Sequence, residues 1–241
     1  MLSLVIPSYN EGEHIYDNLM TVSKVLKEAG IDYELIPVND GSPDNTGDEI
    51  RRAAEADPKI VPVSYDVNRG KGGAIKEGVM SSKGDVVGFL DADLDLSPDH
   101  VPAFLKAMEE TGSDVVIGSK MHKDSELEYP VARKIFSLCY FIMLKVLFGL
   151  KTKDTQTGVK LYKGDLLRSI VPVMKVKGYA FDIEMLALAV RKGASVTEMP
   201  VRVNYTRGQS FGRIRVGDIV KMFTDTLALW WNMRVVKKYD K

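Results

Sequence analysis

The chain has 241 residues, 45% of them hydrophobic, enough to bury a sizeable core as one large α/β domain and too apolar for a disordered polymer. Its 33 basic and 33 acidic residues cancel, which argues against a general nucleic-acid-binding protein, and the lone Cys139 excludes an internal disulfide framework. The balance hides a gradient: Lys and Arg against Asp and Glu number 9 and 19 over residues 1–100, 13 and 10 over 101–190, and 11 and 4 over 191–241. An acidic front half suits a divalent cation, and a basic back end suits an anionic partner such as a phosphate or a membrane surface.

Along the chain, Leu2-Ser-Leu-Val-Ile6 is too short for the apolar core of a signal sequence and lacks a basic flank, so it is expected to be a first strand. Ile15, Leu19, Val22, Val25 and Leu26 follow at helical spacing, with Glu11 and Glu13 near the start. Further strands are expected near Tyr33–Val38, Ile60–Tyr65, Asp85–Leu90 and Asp114–Gly118, separated by amphipathic stretches. That alternation predicts βαβ units and a mostly parallel sheet, whose ligands bind beyond the carboxyl ends of the strands.

Those ends carry Pro7-Ser-Tyr-Asn-Glu11, Asn39-Asp-Gly-Ser-Pro-Asp44, Asp66-Val-Asn-Arg-Gly-Lys-Gly-Gly73 and Asp91-Ala-Asp93, which should meet on one sheet edge. If extended, Asp91 and Asp93 point to one face, and Asp95 repeats the spacing, giving up to three hard oxygen ligands suited to Mg²⁺ or Mn²⁺ carrying a phosphorylated substrate. Taken alone, the acids are equally consistent with an ordinary loop before the helix opened by Ser97-Pro98-Asp99. Gly70, Gly72 and Gly73 let backbone amides approach a ligand, and Lys71 adds a positive charge. The Gly-Lys-Ser/Thr ending of a Walker loop and the Gly-x-Gly-x-x-Gly of a dinucleotide site are absent.

In the second half, Arg133-Lys134 precede sixteen mostly apolar residues, 135–150, broken by Lys145. A spanning helix wants about twenty apolar residues, so this segment is expected to lie in a membrane interface or in a core. From Val216 to Tyr239, Trp230 and Trp231 stand near Arg234, Lys237 and Lys238, a pairing that suits the headgroup layer. The competing reading packs this helix on the domain with Val220, Phe223, Leu227 and Trp231 inward.

Seven stretches, in order, then carry a resemblance: Val5-Ile-Pro-Ser-Tyr-Asn-Glu11, Val38-Asn-Asp-Gly-Ser-Pro-Asp-Asn-Thr46, Asn68-Arg-Gly-Lys-Gly72, Leu90-Asp-Ala-Asp-Leu94, Gly118-Ser-Lys120, Asp154-Thr-Gln-Thr-Gly-Val-Lys-Leu-Tyr162 and Phe181-Asp-Ile-Glu184. Together they resemble the inverting family-2 glycosyltransferases of GT-A fold, and within them the polyprenyl-phosphate (dolichyl-phosphate) mannose and glucose synthases. The resemblance implies an α/β GT-A domain over residues 1–210, a mostly parallel, Rossmann-like central sheet, and a basic C-terminal helical extension over 211–241.

It further implies that Pro7, Tyr9, Glu11, Val38 and Asp40 hold the nucleoside, and that Gly70, Lys71, Asp91, Ala92 and Asp93 line the nucleotide-sugar site. Asp91, Asp93 and Asp95 are the implied metal ligands, Asp95 standing where mannose synthases commonly carry Gln. Lys120 stands where the family usually has Arg, exchanging a bidentate fork for a point charge. Arg133 and Ser137 resemble an acceptor-phosphate pair, and Arg207 and Arg213 a basic loop closing over donor and acceptor phosphates. The implied reaction joins a hexose from a GDP-mannose or UDP-glucose type donor to polyprenyl phosphate, on a protein held peripherally at the cytoplasmic membrane face. Asp154-Thr-Gln-Thr-Gly158 is closer to the glucose type, and Asp182 and Glu184 read as supports. A transferase acting on a hydroxyl acceptor and a non-catalytic sugar-nucleotide-binding subunit are the alternatives.

Overall fold

The computed structural model describes residues 1–125, 131–176, 180–203 and 216–239; for 131–137, 216 and 218–220 it describes the helical backbone. Five parallel-sheet strands fall where the apolar runs put them: β1 (Leu2–Ser8), β2 (Tyr33–Asp40), β3 (Val63–Tyr65), β4 (Val86–Leu90) and β5 (Val115–Ser119). The third is shorter than expected, because Pro62 has no N–H for the ladder; Ile60 makes only an isolated bridge to Leu35. Two strands went unforeseen, β6 (Val159–Lys163) and β7 (Val196–Pro200), and the seven order as β3-β2-β1-β4-β6-β5-β7.

The strand β6 runs antiparallel to both of its neighbours, and every other pair is parallel. β1 sits between β2 and β4, so the chain leaves it towards one sheet edge and later returns on the other side. The carboxyl ends of β1 and β4 therefore diverge at a switch point, where open α/β sheets have a crevice for ligands.

Two apolar layers enclose the sheet. On one face lie α1 (Ile15–Glu28), α2 (Thr46–Ala56) and α4 (His100–Thr111), which bury Ile15, Leu19, Val22 and Leu26, Ile50 and Ala53, and Val101, Phe104 and Met108. On the other lie α3 (Gly70–Ser81), α5 (Val131–Phe148), α6 (Gly164–Ile170), α7 (Phe181–Arg191) and α8 (Val216–Arg234). Strand residues alternate between the layers: Leu4 and Ile6 face the first, Val5, Val87 and Phe89 the second. Gly78 allows α3 to lie against β1 and β2, since a Cβ there would meet Val5 and Val38.

The two unusual segments are both half-embedded. Helix α5 sends Tyr140, Leu144 and Phe148 into the core and leaves Leu138, Ile142 and Val146 about half or more exposed. Helix α8 packs beside it, with Tyr140 Oη 2.9 Å from Thr226 Oγ1 and the Phe223 ring edge-on to Tyr140. Its inward face is Thr226, Leu229 and Met233 with Phe223 packed beside them, whereas Leu227 and Trp231 are exposed, which corrects the competing packing register at those two positions; the side chain of Val220 lies outside the described residues. The core takes the row at i, i+3 and i+7 and leaves Leu227 and Trp231, four apart, on a different row. Beyond α8, Tyr239 donates a hydrogen bond to the buried Glu184, which also accepts the amides of Lys175 and Val176 at 2.8 and 2.9 Å.

Candidate active site

A crevice of about 220 Å³ opens at the switch point, lined by Pro7, Ser8, Tyr9, Glu11, Asp40, Lys71, Ala74, Asp91, Ala92 and Asp93. All four strand-end loops reach it. The loop after β1 is tied to the loop after β2: Glu11 N–H donates to Thr46 Oγ1 at 2.9 Å, Gly12 N–H to Asp44 Oδ2 at 3.1 Å, and Asn10 N–H to Ser42 Oγ at 3.1 Å. Asp40 is 3% exposed and accepts the Tyr65 hydroxyl and the Arg69 amide, each at 2.7 Å, so the loop after β3 closes onto β2. Tyr9 is 46% exposed at the rim, a ring free to lie against a base.

Helix α3 begins at Gly70, whose φ of 75° is a conformation that glycine adopts without a side-chain penalty. Its first turn delivers Lys71 to the crevice, with Nζ 2.5 Å from Asp91 Oδ1. Burial pulls the lysine pKa down, but the charges of Asp91 and Asp182 outweigh it and hold the ammonium above its ordinary value. Asp93 is raised, by burial first and then by the like charges of Asp91 and Asp95.

The acidic turn differs from an extended strand end. β4 stops at Leu90, Leu94 N–H turns back to Asp91 O at 3.3 Å, and Leu94 has a φ of 53°. Asp91 and Asp93 thus share the crevice through a turn rather than through strand alternation, and Asp95 N–H donates to Asp93 Oδ1 at 3.2 Å. Among the described residues, no three acidic, histidine or cysteine side chains gather closely enough to hold an ion unaided. The remaining chemistry fits a divalent cation: Asp91 and Asp93 offer hard oxygen ligands side by side in the crevice, and Asp93 lies among the like charges of Asp91 and Asp95. One or two carboxylates plus substrate phosphates is the usual shell for Mg²⁺.

Other expected residues are placed elsewhere. Val38 is fully buried in the core against Gly78, so only its backbone remains for a nucleoside, and neither Val38 nor Gly70 lines the crevice. Lys120 follows β5, and insertion of β6 between β4 and β5 sets it two strands, about 10 Å, to the side. Its amide donates to Asp154 Oδ2 at 2.9 Å. The side chains of Arg133 and Ser137, at the start of α5, and all of Arg207 and Arg213 lie outside the described residues. A larger cleft of about 550 Å³ lies at the opposite strand ends, around Asp85, Glu109 and Lys163, where Lys163 is tied to Asp114 and no phosphate donors converge.

Next to Lys71 and Asp91, Asp182 serves as the support the motifs implied, and its partner is a residue they did not single out. Lys160 of β6 is fully buried, with Nζ 2.5 Å from Asp182 Oδ1 and 2.8 Å from Thr157 O. Burial drives Asp182 up and Lys160 down, and each is drawn back by the charge of the other. The signal available was a lysine inside the apolar run Val159-Lys-Leu-Tyr162. Glu184, by contrast, supports the C-terminal segment as described above.

Comparison with known proteins agrees with this geometry. The model of the family described as "Glycosyl transferase family 2" matches residues 3–171. The chain belongs to that family. Over 95% of its length it is 31% identical to a dolichyl-phosphate beta-glucosyltransferase of Trichomonas vaginalis and 32% identical to one of Saccharomyces cerevisiae, covering 72% and 73% of those proteins. Its relatives place it with the dolichyl-phosphate hexose synthases of family 2, as enzymes that transfer sugars. In fold it is similar to glucosyl-3-phosphoglycerate synthase from Mycobacterium tuberculosis, solved with Mn²⁺, UDP and glucosyl-3-phosphoglycerate, at a TM-score of 0.70, 22% identity, and 96% and 79% coverage of the two chains. The mostly parallel sheet with flanking helices is the GT-A arrangement.

Proposed function

We propose that this family-2 enzyme transfers glucose from a uridine nucleotide sugar to a polyprenyl phosphate of the dolichyl type, with inversion, using Mg²⁺ or Mn²⁺ at a membrane surface. The observation that carries the reading is a crevice holding Lys71, Asp91 and Asp93 in a chain similar, over 95% of its length, to dolichyl-phosphate beta-glucosyltransferases. Those relatives carry glucose in their names, which narrows the mannose-or-glucose choice and gives no support to GDP-mannose.

In this reading Tyr9 and Asp40 receive the nucleoside, with Pro7 and Glu11 beside them. Asp91 and Asp93 would hold the cation, which supplies charge neutralisation of the departing diphosphate. Lys71 contributes a second positive charge at that place, preset by its contact with Asp91. A phosphate oxygen of the acceptor attacks the anomeric carbon while the bond from that carbon to the diphosphate oxygen breaks, and the nucleoside diphosphate departs with the electron pair. A phosphate monoester has a second pKa of about 6, so the acceptor is ionised near neutral pH and needs no protein base. Arg133 and Ser137 are assigned to the acceptor phosphate, Lys120 to a phosphate clamp, and Arg207 and Arg213 to the donor and acceptor phosphates together, with Asp95 as an outer acid of the cation site. The exposed row on α5 and the basic C-terminal segment support contact with the lipid surface.

The test is a donor panel of UDP-glucose, GDP-mannose and UDP-N-acetylglucosamine with a short polyprenyl phosphate and Mn²⁺ or Mg²⁺. The expected product is a β-glucosyl phosphoryl lipid from UDP-glucose, with turnover reduced at least ~100-fold in Asp91→Asn or after chelation. Preferred use of GDP-mannose, or transfer only to a sugar hydroxyl, overturns the reading.

A further inference from the structure

Behind Asp91 and Lys71, which line the crevice, three chain segments meet at one buried ammonium. Antiparallel pairing sets Lys160 opposite Phe89, on the core face of the sheet, and Nζ stands 5.0 Å from the centre of the Phe89 ring. From there it donates to Thr157 O at 2.8 Å and to Asp182 Oδ1 at 2.5 Å, joining the turn before β6 to the first turn of α7.

Each of those two segments touches the donor site. The residue after Thr157, Gly158, accepts the Asp91 amide at 3.1 Å, and its pro-Cβ position lies against the Asp91 carboxylate. The residue before Asp182, Phe181, lies against Gly72, where an added Cβ would stand 2.9 Å from Phe181 Cβ. That contact seats the start of α3 on the start of α7, so that Asp182 acts electrostatically on the neighbouring Lys71. Burying an ammonium and a carboxylate is costly, and replacing such a pair by apolar groups is often neutral or stabilising. Two contacts leading to Asp91 and Lys71 give this pair a positional use beyond packing.

We propose that Lys160 is a positioning residue of the donor site: its buried ammonium clamps the Thr157–Gly158 turn under Asp91 and the Asp182 carboxylate beside Lys71, presetting both charges that meet the donor diphosphate. It touches neither donor nor acceptor. The inference rests on the proposed function, since it assumes that a nucleoside diphosphate binds at Asp91 and Lys71.

Lys160→Met is the direct variant, but it strands Asp182 without a countercharge and invites unfolding. Lys160→Met/Asp182→Asn removes both charges at nearly constant volume and is expected to retain the wild-type melting temperature within a few degrees. Calorimetric titration with UDP in saturating Mn²⁺ is expected to show about tenfold weaker binding in the double variant, a loss of about 1.4 kcal/mol. Donor KM should rise in parallel while acceptor KM stays unchanged. A merely structural role lowers the folded fraction, and with it kcat, leaving the UDP affinity of the remaining protein intact. A folded double variant with wild-type UDP affinity overturns the positioning role alone. Wild-type protein that binds no UDP with Mn²⁺ overturns the proposed donor chemistry and this inference together.

Discussion

A single hydrogen atom at position 158 sets where Asp91 stands. A methyl group on Gly158 would overlap the Asp91 carboxylate while the backbone bond between the two residues holds them together. Gly158→Ala is therefore expected to lower kcat/KM by ~10- to 100-fold in a protein that still folds, because a displacement near 1 Å at a reacting site costs about that much. Steady-state kinetics beside a thermal melt reads it, and unchanged kcat/KM would show that the turn yields elsewhere. At this scale the sequence disclosed Tyr9, Asp40, Lys71, Asp91 and Asp93, because strand-end loops with acids, glycines and a lysine are readable in order. Lys160 was not singled out: a lysine in a strand is ordinarily a solvent-facing residue, and only burial with Asp182 gives it another meaning.

Among the elements, helix α1 is joined to the end of α2 by charge as well as by apolar packing. Asp57, 2% exposed, accepts Ser23 Oγ at 2.5 Å, Lys27 Nζ at 2.9 Å and the Lys59 amide at 3.1 Å. Burial raises its pKa, and these donors more than reverse that, bringing it from 3.8 to about 2. A depressed carboxylate contributes stability fully above its unfolded pKa and loses it as pH falls through the folded value. The contribution of about 2 kcal/mol should thus be present above pH ~4 and vanish towards pH ~2. Denaturant melts of wild type and Asp57→Asn should converge over that window; a stability difference that persists to pH 2 would assign the effect to packing. Strand periodicity revealed five of the seven strands, and it missed β6 and β7 because each apolar run is short and interrupted, β6 by Lys160 and β7 by Glu198 and Pro200. The row Tyr140, Leu144, Phe148 and the row Leu138, Ile142, Val146 read alike in an apolar segment, and tertiary packing alone separates them.

For the whole molecule, the exposed row on α5 lies on a helix that packs against α8, whose end is basic. No helix among the described residues is long and apolar enough to cross a membrane. In the proposed membrane reading, this surface would meet lipid by shallow insertion with electrostatic support. Flotation with anionic liposomes at low salt should carry the wild-type protein upward, and Leu138→Ser/Ile142→Ser/Val146→Ser should lose most of that binding without a matching loss in melting temperature. Wild-type protein that stays at the bottom of the gradient sinks the membrane reading.

The sequence by itself determined the strand–helix alternation, the four loops at the carboxyl ends and the family, since these depend on local pattern and on motifs kept in chain order. The tertiary structure alone decided that β6 enters antiparallel and displaces Lys120 from the crevice, that Val38 is core, and that Asp91 and Asp93 converge through a turn. It also decided that Lys160 and Asp182 meet behind them. The physical reason is the same in each case: strand order, burial and the pairing of buried charges depend on contacts between residues far apart in the chain, which no local pattern encodes.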